Sequence, residues 1–139
     1  MNPIRILIVD EHPGLREGIR YFIELQPDMV VVGEAQDGEE ALQKFRLLQP
    51  DVMLISVSLP TLCGIKLVRE IRAEFPEARV IVSTALDDGE YLREALAVGA
   101  RGILRKETLR RKLLSAIREV HARRIFIPPD LASKLPPSH

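Results

Sequence analysis

Short apolar runs, the first interrupted only by Arg5, alternate with longer stretches whose apolar residues return every three or four positions. Ile4 to Val9, Met29 to Val32, Val52 to Ile55, Val80 to Val82 and Gly102 to Arg105 have the length and content of strands buried on both faces. Between them, Leu15, Ile19, Phe22 and Ile23 mark a first helix, opened by Pro13 and stopped before Pro27. Asp37 with Glu40 has capping-box spacing and opens a second, whose Ala41, Leu42, Phe45 and Leu48 share one side. Ile65, Leu67, Val68, Ile71 and Phe75 mark a third. The spacing of Asp87 and Glu90 opens a fourth, which Gly99 ends, and Leu109, Leu113, Ala116, Ile117 and Val120 form the stripe of a fifth.

Five strands alternating with five amphipathic helices require right-handed crossovers and a parallel sheet covered on both faces. The expected fold is α/β, a doubly wound five-stranded parallel sheet of flavodoxin-like strand order, (βα)5. Residues 1–122 are expected to form one domain. From Arg123 the pattern decays into a stretch with four prolines, read as a linker over residues 123–139.

Composition narrows the class. The chain of 139 residues is 46% hydrophobic and 29% charged, without the roughly 18 consecutive apolar residues of a membrane span. With a single cysteine, Cys63, and no signal-peptide pattern, a soluble cytoplasmic protein is the expectation. Net charge is zero, yet residues 1–100 hold 10 basic against 17 acidic residues, and residues 101–124 hold 9 basic against Glu107 and Glu119. The basic stretch Arg105 to Arg124 is either a solvated helix face or a surface that meets nucleic acid; no aromatic residues interleave with it as they do in many single-strand sites.

In a doubly wound sheet, ligands gather outside the carboxyl ends of the strands. The polar residues that follow the strands are Asp10 and Glu11, then Ser56, Thr84 and Lys106. His12 is not expected to bind metal, since no second histidine is near it in sequence, and nothing beside Cys63 would activate its thiol.

The phrases Ile-Leu-Ile-Val-Asp-Glu-His-Pro, Val-Val-Gly-Glu-Ala-Gln-Asp-Gly-Glu-Glu-Ala-Leu, Gln-Pro-Asp-Val-Met-Leu-Ile and Asp-Asp-Gly-Glu-Tyr-Leu resemble the receiver domain of two-component response regulators, in the subgroup with a LuxR-type DNA-binding domain. The resemblance runs from residue 4 to about 135. It implies phosphoryl transfer from a histidine kinase to an aspartate after the third strand. It further implies Mg²⁺ held by an acidic pair at Asp10 and Glu11, contacts to the phosphoryl group from Thr84 and Lys106, and a switch residue at Ile103.

At the phosphoacceptor position, however, stands Ser56. A carboxylate attacks as it is, whereas a serine hydroxyl needs a base to take its proton. Aspartyl phosphorylation is therefore expected to be absent and Mg²⁺ binding weakened, leaving Lys106 to pair with Asp10 or Glu11. Glu11 stands for the more usual second aspartate, Cys63 for an acidic loop residue, and Ile103 for an aromatic that changes rotamer.

The resemblance implies no enzyme but a regulator. Its partners would be a histidine kinase, an output DNA-binding domain of the same protein and a second copy in a homodimer, with no membrane. Two alternatives stay open: a phosphorylatable switch in which Ser56 was engineered, and nucleic-acid binding by the basic helix.

Overall fold

The computed structural model describes residues 2–56, 64–85 and 89–132. Cys63, the Asp87 half of the fourth helix's expected cap, and residues 133–139 of the expected linker lie outside them. Five parallel strands form one sheet: β1 (Ile4–Val9), β2 (Met29–Ala35), β3 (Val52–Ser56), β4 (Val80–Thr84) and β5 (Gly102–Arg105), in the order β2-β1-β3-β4-β5. The helices are α1 (Pro13–Glu24), α2 (Gly38–Leu48), α3 (Gly64–Glu74), α4 (Gly89–Ala97), α5 (Leu109–His121) and a short α6 (Pro129–Ala132), with a 3-10 turn over Lys106–Thr108. This is the expected doubly wound fold.

Because successive strand residues face opposite ways, β1 divides its side chains between two apolar layers. Ile6 and Ile8 join Ile19, Ile23, Leu113 and Ile117 beneath α1 and α5. Leu7 and Val9 join Phe45, Val68, Ile71 and Leu92 beneath α2, α3 and α4. The strands read as continuous apolar runs because both layers are closed to water.

Helix ends follow the sequence signals. The Asp37 side chain accepts from the Glu40 backbone N–H at 2.8 Å, while the Glu40 carboxylate reaches back to the N–H of Gln36, one residue before the expected reciprocal partner. At the end of α4, Gly99 has φ of 112°, its N–H donates to Leu96 O, and the Ala100 N–H donates to Ala95 O, which is a Schellman closure. A Cβ at Gly99 would lie 2.5 Å from Arg72 Nε. Gly99→Ala is expected to lower stability by about 1–3 kcal/mol in urea unfolding, from backbone strain and the displaced guanidinium.

Two elements depart from the pattern. β2 runs three residues beyond Val32, and the register with β1 shifts between Ile6 and Leu7, so that Val32 is the extra residue of a bulge. Gly33 passes beneath Leu48, whose Cδ1 would lie 2.7 Å from a Cβ there. The chain after α5 also stays packed: Phe126 bridges to Gly102, its N–H donating to Arg101 O and its carbonyl accepting from the Ile103 N–H, both at 2.9 Å. Ile127 packs on the α2–α4 layer and Phe126 on the other. α5 ends at His121, and Phe126 and Ile127 pack onto the apolar layers from within the stretch read as linker.

Beside β1, Glu34 lies between two guanidinium groups, accepting from Arg20 Nη1 at 2.8 Å and from Arg16 Nε at 3.2 Å. Burial alone would raise its pKa, but these hydrogen bonds outweigh burial and hold it below the ordinary glutamate value. A carboxyl whose folded value is depressed contributes stability above its unfolded value and loses it as pH falls through the folded one. Glu34→Gln is expected to flatten that acid limb, seen as a smaller difference in urea midpoint between about pH 7 and about pH 3.5.

Candidate functional site

The carboxyl ends of β1, β3, β4 and β5 carry the polar residues singled out in the sequence. Val9 pairs with Ile55, so Asp10 leaves β1 alongside Ser56, the last residue of β3. Ser56 pairs with Ser83, and Thr84 with Arg105, after which Lys106 begins the 3-10 turn. One rim therefore holds Asp10, Ser56, Thr84 and Lys106, with Glu11 half-buried just outside it.

Burial on this rim is extreme for polar groups. Asp10 and Ser56 are 0% exposed and Thr84 is 1% exposed. Asp10 Oδ1 accepts from the His12 N–H at 2.7 Å, and His12 Nδ1 lies 3.1 Å from the same oxygen. The arrangement is an Asx-type turn in which the side chain satisfies a backbone group two residues on. The Asp10 carbonyl accepts from Arg16 Nη1, which fixes the first turn of α1 to the strand end. Among the described residues, Asp10 Oδ2 and the hydroxyls of Ser56 and Ser83 have no hydrogen-bond partner. Such orphaned groups cost on the order of 1–3 kcal/mol each, which folds tolerate at sites that bind.

Lys106 is half-buried and lines a cavity of about 210 Å³ with Thr84, Ala85, Arg105 and Glu107. Asp10, one of the two partners expected for Lys106, is turned to His12 through its Oδ1. Ile103 is 1% exposed and sits on β5 in the apolar layer with Val82, Leu92 and Ala95. His12 is the rim residue whose part was missed. The signal for it was the Asp-x-His spacing, which suits an Asx turn as well as a strand end.

Mg²⁺ needs near-octahedral oxygen donors, usually one or two carboxylates with waters. The orphaned Asp10 Oδ2 suits such a cation, and Ser56 offers only a neutral oxygen beside it. Among the described residues no three His, Cys, Asp or Glu side chains gather at one point.

On the basic side, Arg118 forms a bidentate pair with Asp28 at 2.9 and 3.0 Å, and Arg124 pairs with Glu119 at 2.8 Å. These contacts withdraw two of the basic stretch's cations into the chain's own charge balance. Arg110, Arg111 and Lys112 stay exposed on α5. Among the described residues no helix is long and apolar enough to cross a membrane.

Residues 6–118 match the family model of the response regulator receiver domain. The chain is 39% identical over 117 residues, 84% of its length and 54% of the relative's, to the uncharacterized transcriptional regulatory protein YxjL of Bacillus subtilis. It is 35% identical over 133 residues, 95% of its length and 61% of the relative's, to the oxygen regulatory protein NreC of Staphylococcus carnosus. Among solved structures, a LuxR-family two-component response regulator from Aurantimonas sp. superposes with a TM-score of 0.90 at 34% identity, covering 96% of each chain. The chain thus spans little more than half the length of these curated relatives.

Proposed function

Since the chain belongs to the response regulator receiver domain family, of the kind found in LuxR-type regulators, we propose that it is the receiving part of a longer transcriptional regulator that does not use aspartyl phosphorylation. Ser56 stands where such a receiver carries its phosphoacceptor. The observation that supports this is the buried Ser56 hydroxyl, at the end of the central strand, without a hydrogen-bond partner among the described residues.

Transfer to an oxygen of Ser56 would form a P–O bond only if the hydroxyl proton left to a base as the donor's bond to phosphorus broke. Asp10 leaves β1 alongside Ser56, yet its Oδ1 is engaged by His12 and no hydrogen bond joins Oδ2 to the serine. Among the described residues no base is hydrogen-bonded to the hydroxyl. Thr84 and Lys106 keep the positions that would contact a phosphoryl group, and Asp10 with Glu11 keeps the acidic pair, weakened for Mg²⁺ by the missing third carboxylate.

Signalling then depends on association. A second copy, or the regulator's own DNA-binding domain, would dock on the surface built from α4, β5 and α5, and a histidine kinase would act, if at all, by contact rather than by transfer. The pairing of Arg118 and Arg124 with internal carboxylates supports this reading over nucleic-acid binding by α5.

Beryllofluoride tests the pocket, because it mimics a phosphoryl group by bonding to an anionic oxygen such as a carboxylate's, which a neutral serine hydroxyl does not offer. Added with Mg²⁺ to the 139-residue chain, it is expected to leave the amide resonances of Thr84 and Lys106 where they were. Saturable movement of both signals would overturn the proposal.

A further inference from the structure

At the opposite edge of the sheet, where the strands begin, five guanidinium groups converge. Arg79 directly precedes β4 and Arg101 directly precedes β5; Arg72 comes from the last turn of α3, and Arg123 and Arg124 follow α5. Together with Glu77 they line a cleft of about 320 Å³, within the range of small-molecule sites. The cleft is as far along the strands from the Ser56 rim as the sheet allows, and nothing in the receiver reading uses it.

Two of these side chains, Arg72 and Arg124, are held in place by hydrogen bonds. Arg72 Nη1 donates to Ala78 O at 3.0 Å, and its side chain lies over Gly99, where a Cβ would touch Nε. Arg124 is fixed by Glu119, and the Arg101 backbone is clamped between Val80 O and the Phe126 N–H. The single carboxylate in the lining, Glu77, is 86% exposed and lies 3.9 Å from Arg123. Among the described residues neither Arg79 nor Arg101 has an ion-pair partner, although both are half-buried. Burial, and then the neighbouring charge of Arg101, lower the pKa of Arg72. Like charges crowded into a part-desolvated cleft repel one another, and an anion with several oxygens relieves this by accepting from more than one planar guanidinium.

We propose that this cleft binds a compact small molecule bearing two linked phosphoryl groups, free diphosphate or the diphosphate of a nucleotide. The enclosing shape and the convergence of guanidinium groups from four chain segments favour such a ligand over a duplex, whose phosphates need an extended basic stripe. Binding there would tie α3, the starts of β4 and β5 and the chain after α5 into one unit. A ligand would thereby bear on the direction in which the chain leaves the domain.

The test is calorimetric titration of the 139-residue chain with inorganic diphosphate, orthophosphate and ADP, without divalent cations and at about 0.15 M salt. One saturable site for diphosphate is expected, with Arg79→Gln and Arg101→Gln each weakening it about tenfold or more and Arg110→Gln on the far part of α5 leaving it unchanged. ADP binding more tightly than diphosphate would assign the nucleotide, and ADP binding no tighter would assign the free anion. Orthophosphate binding as well as diphosphate, insensitivity to both cleft variants, or duplex DNA binding that needs Arg79 and Arg101 but is not displaced by diphosphate would each overturn the proposal.

Discussion

Ser56→Asp is expected to convert an inert chain into one that takes a phosphoryl group from acetyl phosphate in the presence of Mg²⁺, to near stoichiometric labelling. The substitution places a carboxylate at the buried end of β3, alongside Asp10, whose Oδ2 has no partner among the described residues. Two buried carboxylates repel, and without metal the variant is expected to be less stable than the parent by about 2–4 kcal/mol. Mg²⁺ reverses this, because it neutralises both groups and binds only the folded form. The variant's melting temperature should therefore rise with Mg²⁺ far more than the parent's. A variant that neither labels nor responds to Mg²⁺ would show that the pocket has lost more than one side chain, and would remove the engineered-switch alternative as well.

Ile103→Ala is expected to cost about 2–5 kcal/mol, and Ile103→Val about 0.5–1.5, in urea unfolding. The side chain is 1% exposed on β5, in the layer it shares with Val82, Leu92 and Ala95, and the backbone on either side is held by pairing to Val82 and to Phe126. A residue that moved between buried and solvent positions would carry a polar end or a hinge, and Ile103 has neither. We read it as an anchor of the α4–β5 surface in place of a switch. An Ile103→Ala variant as stable as the parent would contradict that.

The fold was legible because a parallel sheet covered on both faces leaves a simple trace: unbroken apolar strands separated by capped helices. Pro13, Asp37 and Gly99 marked helix ends that the structure retains. The rim was legible for the same reason, since each of its residues ends a strand or comes just after one. The extension of β2 was not, because Gly33 and Glu34 interrupt the apolar run, whereas Gly33 lets Leu48 approach. The docking of Phe126 was hidden by the prolines around it, which outweigh a single aromatic in any pattern. The arginine cleft was hidden too: its members lie at positions 72, 79, 101, 123 and 124, and only the strand order brings them together. The hydrogen bonds from His12 to Asp10 are local, and a turn-based reading of Asp10 would have found them.

Intact-mass measurement of the unmodified chain after incubation with acetyl phosphate and Mg²⁺ addresses the central claim most directly. A single species at the mass of the untreated chain is expected. A species heavier by one phosphoryl group, mapped by fragmentation to Ser56, would contradict it.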